Sequence, residues 1–251
     1  MRRAPDAIVL CGGAGSRLKA VTGGAPKAMA TIGSRPFLEL LLRQLSRHGF
    51  ERVIMAAAGH QRAIQEHFGV RAFGLHLEYS AESTALGTGG SARNAVELVE
   101  SKDALITNGD SYTELNFKGF VADCRSRRAD ASMVVVSADG REDGGSVVVD
   151  DSDKVIGFEE KQSRFKPSLL NAGIYLFSRT IFFDVTPGLP VSLEAELLPR
   201  WLGQGRHIRA FRCLGRCIDI GTPERYRHAQ HILANVELPT SSASLEKGPS
   251  N

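Results

Sequence analysis

Apolar, strand-like runs alternate with helix-patterned stretches along the first half of the chain, and this alternation restricts the fold more than any other feature. DAIVLC (6–11), RVIMAAA (52–58), LHLEYS (75–80) and DALIT (103–107) read as strands. Their separation by helical stretches is that of parallel strands joined by crossover helices. Between the first two runs, SRPFLELLLRQLSRHGF carries Ser34 as a candidate cap and Pro36 near the helix start. Leucines at 38, 41, 42 and 45 mark one side, and Gly49 marks the stop. The expectation is an α/β protein with a mostly parallel central sheet.

After ASMVVVSA the pattern changes: SVVVDDSDKVIGFEEK reads as two short strands around a polar turn, and LLNAGIYLF as another buried strand. These fit antiparallel additions to the same sheet better than a second domain. Two helical stretches follow, SLEAELLPRWL and TPERYRHAQHILANVE, separated by the short strands HIRAFRC and CIDIG. From Leu238 the sequence is rich in Ser and Pro without apolar periodicity, so the expectation is one domain over 1–237 and a disordered tail over 238–251.

With 42% hydrophobic and 24% charged residues, the 251-residue chain has the balance of a soluble globular domain. A net charge of +3 argues against a general nucleic-acid surface, and Arg125, Arg127 and Arg128 read as a solvated helix end. Cys11, Cys124, Cys213 and Cys217 lack zinc-site spacing and read as free, mostly buried thiols. Neither a leader h-region nor a run of 18 apolar residues appears, so no membrane partner is expected and the cytoplasm is the expected location.

The segment IVLCGGAGSRLKAVTGGAPKAM (8–29) raises the question of function. A buried strand turns through glycines and then presents Arg17 and Lys27. Bare backbone N–H groups with two fixed cations suit an anion of high charge density, such as a polyphosphate. No Walker A loop is present, because no Lys-Ser/Thr pair follows the glycines. The dinucleotide fingerprint GxGxxG is matched only at Gly13 and Gly15, since Leu18 takes its last position.

The whole segment resembles the signature of the sugar-1-phosphate nucleotidylyltransferases, GGxGxRL followed by Pro-Lys. Here it reads Gly12-Gly13-Ala14-Gly15-Ser16-Arg17-Leu18, then Pro26-Lys27, with serine at 16 where threonine is common and Ala28 where proline is usual. The resemblance implies a Rossmann-like three-layer nucleotidyltransferase fold. In it the turn (Leu10, Gly12, Gly13, Gly15, Ser16), with Arg17 and Lys27, embraces the triphosphate of the incoming nucleotide. ALGTGGSARNA (85–95) resembles the family's second segment, which implies that Thr88, Gly89 and Gly90 lie near base and ribose. Read alone, these residues could equally cap a helix.

ITNGDSY ends a buried strand in Asn108-Gly109-Asp110 at the C-terminal sheet edge, where ligands of open α/β folds collect. The resemblance puts Asn108 in the nucleotide site and Gly109 in the sugar-phosphate site. It implies Mg²⁺ held by Asp110 and by Asp219 of CIDIGTPERY; this ion commonly takes one or two carboxylates, with phosphate oxygens and waters. GFEEKQ and LLNAGIYLF resemble segments that face the sugar phosphate. They imply Glu160 as an acceptor for a sugar hydroxyl, Lys161 as a phosphate cation, and Asn171 and Gly173 as pocket lining. Glu159 and Glu160 read alone could be solvated charges of a hairpin. SLEAELLP adds Glu194 to the sugar-phosphate set, with a Ser192-x-Glu194 cap box as the alternative. His228 and His231 have no third ligand at metal spacing and receive no role.

Over residues 6–236 the pattern looks most like the D-glycero-α-D-manno-heptose 1-phosphate guanylyltransferases. That implies transfer of GMP from GTP to a heptose 1-phosphate by a homodimer, giving GDP-heptose and pyrophosphate for a surface polysaccharide. The alternative is a mannose- or glucose-1-phosphate nucleotidylyltransferase using GTP, dTTP or UTP. A non-catalytic nucleotide sensor would be expected to lose a cation or an aspartate, whereas Arg17, Lys27, Asp110 and Asp219 are all present. The attacking phosphate oxygen is already deprotonated near neutral pH, so Arg17, Lys27 and Lys161 would act by alignment and charge neutralisation without a general base.

Overall fold

The computed structural model describes residues 3–13, 15–18, 23–139, 144–160 and 167–234. The expected tail (238–251) and Lys161 lie outside these residues. The first half runs β1 (Asp6–Leu10), β2 (Thr31–Ile32), β3 (Arg35–Pro36), α1 (Phe37–Arg47), β4 (Arg52–Ala56), α2 (Gln61–Phe68), β5 (Arg71–Ala72), β6 (Leu75–Ser80), α3 (Gly87–Val96) and β7 (Asp103–Asn108). Then come β8 (Ser111–Thr113), α4 (Phe117–Arg127), β9 (Ala131–Ser137), β10 (Ser146–Val149), β11 (Val155–Glu159) and β12 (Leu169–Ser178). A π-helical turn (Leu193–Leu197) leads into α5 (Leu198–Gly203), followed by β13 (Ile208–Arg212), β14 (Cys217–Asp219) and α6 (Pro223–Leu233).

The main sheet has ten strands among the described residues, in the order β11, β10, β12, β7, β1, β4, β6, β5, with β9 also on β12 and β13 on β9. Strands β7, β1, β4 and β6 are parallel, and β12 meets both β7 and β9 antiparallel. The expected parallel core with antiparallel additions is therefore what forms. Side chains alternate across it. Ala7, Val9, Val53 and Met55 point into a cluster with Leu38, Leu42 and Leu45 of α1, Ile64 of α2, Phe120 of α4 and Leu233 of α6. Ile8, Ile54 and Ile106 point the other way, onto Ala92 and Val96 of α3 and onto Leu197 and Trp201. Both faces of the parallel strands are thus covered, which is why their sequences read as nearly continuous apolar runs.

Ser34 does not cap α1. Residues 31–36 close into a hairpin, Thr31 opposite Pro36 and Ile32 opposite Arg35, and the Phe37 N–H reaches back to the Ala30 carbonyl at 2.9 Å. Ser34 is spent in the turn, and Pro36 holds the N-cap position without a side-chain cap. No helix among the described residues is long and apolar enough to cross a membrane. None of the four cysteines forms a disulfide, and only Cys217 is not buried.

At the opposite rim from the strand C-termini, Arg52 ties three strands together. It donates to Asp6 at 2.9 Å and, through two nitrogens, to Glu78 at 2.8 Å, with only 10% of its side chain exposed. Removing one partner of a buried pair strands the other charge, so Arg52→Ala should lower unfolding free energy by about 3–5 kcal/mol. Arg62→Ala, which breaks the exposed pair with Glu66, should cost less than about 0.5 kcal/mol. Equilibrium urea unfolding of both variants checks the contrast; equal losses would contradict it.

Candidate active site

A cleft of about 330 Å³ opens at the C-terminal ends of β1, β4 and β7. Its walls are the glycine turn after β1 (Gly12, Gly13), Lys27, the start of α3 (Gly87, Thr88, Ser91) and the end of β7 (Asn108 to Asp110). The turn can lie this deep because a Cβ on Gly12 would stand 2.6 Å from that of Ala58. The Gly109 N–H donates to the Leu10 carbonyl at 2.8 Å, fixing the end of β7 to the end of β1. Ser16 to Leu18 form a 3-10 turn anchored by the fully buried Leu18, which leaves Arg17 exposed.

At the cleft mouth the Lys27 ammonium forms an ion pair with Asp110; 16% and 34% of the two side chains are exposed. Strands β8 and β14 pair with Asp219 opposite Ser111, and the Ile220 N–H donates to the Asp110 carbonyl at 3.0 Å. Asp219 Oδ1 accepts from the Gly221 N–H at 2.9 Å and from Arg225 at 3.1 Å. The Cβ position of Gly221 lies 2.9 Å from Asp219 Oδ1 and 3.6 Å from Lys27 Nζ, so both aspartates share the neighbourhood of one lysine. Two carboxylates suit a hard divalent ion that draws its remaining ligands from phosphate and water, as Mg²⁺ does. No cluster of three or more His, Cys, Asp or Glu that could hold a metal occurs among the described residues.

Next to the cleft lie residues expected to face a sugar phosphate. Asn171 donates to the Tyr175 hydroxyl at 2.6 Å, Tyr175 donates to Glu194 Oε1 at 3.2 Å, and Thr88 donates to Glu194 Oε2 at 2.5 Å. Burial is the main reason the Glu194 carboxyl has a raised pKa, opposed by the Thr88 hydrogen bond. Glu160 contributes to the electrostatic environment of both Tyr175 and Glu194. Glu194 does not serve as the cap-box acid. Ser192 accepts from the Ala195 N–H at 3.0 Å, and it is Glu196 that accepts from the Ser192 N–H at 2.8 Å, leaving Glu194 to face Thr88 and Tyr175. Gly173, at φ +71°, lies where its Cβ would be 2.4 Å from Asn108 Nδ2, and β12 shifts register between Asn171 and Tyr175 to accommodate it.

Gly89 and Gly90 are placed differently from expectation. Both N–H groups donate to the Val191 carbonyl, at 2.9 and 3.1 Å, and a Cβ on either would collide with the 189–197 segment. Their small size serves helix packing, and the cleft side of this turn is formed by Gly87, Thr88 and Ser91.

The nucleotidyl transferase family pattern matches residues 6–235. The chain belongs to this family. It is 34% identical to D-glycero-alpha-D-manno-heptose 1-phosphate guanylyltransferase of Campylobacter jejuni, over 89% of this chain and 97% of that protein. It is also 34% identical to mannose-1-phosphate guanylyltransferase of Mycobacterium tuberculosis, over 97% of this chain and 68% of the relative. The crystal structure of HddC from Yersinia pseudotuberculosis superposes with a TM-score of 0.78 at 30% identity, covering 91% of this chain and 99% of HddC; a complex of HddC with GMP-PN matches equally.

Two side chains of this nucleotidyl transferase that sequence reasoning passed over touch residues of the site. Arg225, in the first turn of α6, adds a second cation beside Asp219. Glu82 accepts from Ser91 at 2.7 Å behind the cleft wall, while its Oε1 is buried without a hydrogen-bond partner. Burial raises its pKa against the lowering effect of Ser91. The contact at Gly173 makes a direct prediction. Gly173→Ala should cost about 2 kcal/mol or more and weaken nucleotide binding by displacing Asn108. Gly188→Ala, also left-handed at φ +76° but with open space around it, should show the backbone strain alone. Urea unfolding and nucleotide titration of both variants check this; indistinguishable variants would contradict it.

Proposed function

We propose that this enzyme transfers the guanylyl group of GTP to D-glycero-α-D-manno-heptose 1-phosphate, releasing pyrophosphate and forming GDP-heptose for a surface glycan, in the cytoplasm. The observation that carries the reading is the convergence of the glycine turn, Lys27, Asp110 and Asp219 at one cleft mouth, beside a second polar cluster around Asn171 and Glu194. Similarity to heptose 1-phosphate guanylyltransferases of two organisms, at 34% and 32% identity, supports that acceptor, and the 34% identity to a mannose-1-phosphate guanylyltransferase makes mannose 1-phosphate the second reading.

In this reading the backbone N–H groups of Gly12 and Gly13 and the charges of Lys27 and Arg17 hold the triphosphate tail. The heptose phosphate, oriented by Glu160, Asn171 and Glu194, attacks the α-phosphorus with pyrophosphate leaving on the opposite side. The obstacle is repulsion between two anions, so alignment and fixed positive charge supply the catalysis. Mg²⁺ held by Asp110 and Asp219 would neutralise phosphate charge when bound. An incoming triphosphate would compete with Asp110 for the Lys27 ammonium.

Glu82 supports a guanine base. A carboxylate whose Oε1 has no partner while Oε2 accepts from Ser91 can still take the adjacent N1–H and N2–H donors of guanine, whereas uracil and thymine offer one donor between two carbonyl oxygens.

Asp110→Ala and Lys27→Ala should each lower pyrophosphate release roughly a hundredfold or more; near-full turnover by folded variants would overturn the reading. Glu82→Gln should shrink the preference for GTP over UTP by roughly tenfold, the scale of a hydrogen bond to a charged group. With its pKa raised by burial, Glu82 takes up a proton at higher pH than an exposed glutamate and then loses an acceptor. GTP affinity should therefore fall on acidification through that range more steeply in wild type than in Glu82→Gln; parallel pH profiles by calorimetry would contradict this.

A further inference from the structure

We propose that Tyr175 is a positioning residue that couples Asn171 to Glu194 in the sugar-phosphate subsite, so that the two present one donor and one acceptor to a pair of sugar hydroxyls. The inference rests on the two-substrate reading above and deepens it, because it assigns acceptor recognition to a side chain that itself touches no substrate.

Tyr175 is fully buried, with its ring stacked on Phe177 at 5.4 Å between centroids. Its hydroxyl stands between two polar side chains. On one side, Asn171 is oriented by its own backbone neighbour: the Gly173 N–H donates to Asn171 Oδ1 at 3.0 Å. The Asn171 amide nitrogen must then face the Tyr175 oxygen, which it meets at 2.6 Å. Having accepted there, Tyr175 turns its single proton to Glu194 Oε1 at 3.2 Å. On the far side the Leu193 N–H donates to the Thr88 oxygen at 2.9 Å, so the Thr88 proton is directed to Glu194 Oε2 at 2.5 Å.

Both ends of the chain are therefore fixed by backbone amides, and no member can reverse without breaking a bond to the main chain. The second Asn171 amide proton and the remaining lone pairs of Glu194 are the groups left to bind a ligand. A donor and an acceptor held apart by one hydroxyl match neighbouring hydroxyls of a pyranose, each of which can accept from one group and donate to the other. The Thr88 and Tyr175 hydroxyls and the Glu194 backbone N–H oppose the effect of burial on this carboxyl.

Removing the hydroxyl while keeping the ring isolates this role. Tyr175→Phe removes the acceptor of the Asn171 amide and the donor to Glu194 Oε1, while the Phe177 stack persists. The expected result is a sugar 1-phosphate KM raised tenfold or more, with kcat within threefold and GTP Kd, measured by calorimetry without acceptor, within twofold of wild type. Preference among heptose, mannose and glucose 1-phosphates should narrow in parallel. Phe177→Leu, which disturbs the same core layer but no hydrogen bond, should lower the melting temperature without moving this KM. A wild-type enzyme active on a sugar 1-phosphate with an unchanged KM in Tyr175→Phe would overturn the proposal alone. So would a Tyr175→Phe variant whose KM and GTP Kd rise together with a loss of melting temperature like that of Phe177→Leu. A wild-type enzyme inactive with every sugar 1-phosphate would overturn the functional reading and the proposal with it.

Discussion

Backbone contact at the C-terminal ends of β1, β4 and β7 is the constraint from which the site follows. The Cys11 N–H donates to the Ala56 carbonyl at 2.9 Å, the Gly109 N–H to the Leu10 carbonyl at 2.8 Å, and Gly12 has no room for a side chain beside Ala58. These three loops are held against one another before any charged group is considered. Since both faces of the parallel strands are sealed by apolar side chains, charges can collect only at the rim. Lys27, Asp110 and the pair Asp219 and Arg225 meet there although they arrive from three separate stretches of the chain.

Strand β12 extends this rim into a second subsite. Its pairing with β7 carries Gly173 against Asn108 of the cleft, and its register beside β9 shifts between Asn171 and Tyr175, whose side chains are hydrogen-bonded at 2.6 Å. Thr88, which lines the cleft, donates to Glu194, which also accepts from Tyr175. The two reactants of a transfer reaction could thus be held by one continuous set of hydrogen bonds, with the sheet supplying the rigidity that such positioning needs.

Much of this was legible in the sequence because the responsible signals are local. The apolar runs located β1, β4, β6 and β7 to within two residues, and the glycine turn with Lys27 and Asp110 marked one rim. Where the reading departed from the structure, a turn or packing contact that carries no sequence motif had decided the outcome. Ser34 has the chemistry of a cap, but the register of β2 on β3 consumes it. Gly89 and Gly90 are small for the sake of the Val191 carbonyl, which lies in a segment without periodicity. Glu82 carries no motif, and its significance arises only when the loop after β6 packs against Ser91. Arg225 is indistinguishable in sequence from an ordinary first-turn arginine until β14 brings Asp219 to it.

Crystals of the protein grown with GTP and magnesium test the central claim most directly. The triphosphate should lie on the Gly12 and Gly13 backbone with Lys27 turned from Asp110 toward it, and the base should rest on the Ser91 side of the cleft. A nucleotide bound in any other depression, with the Lys27–Asp110 pair intact and the glycine turn empty, would contradict the account.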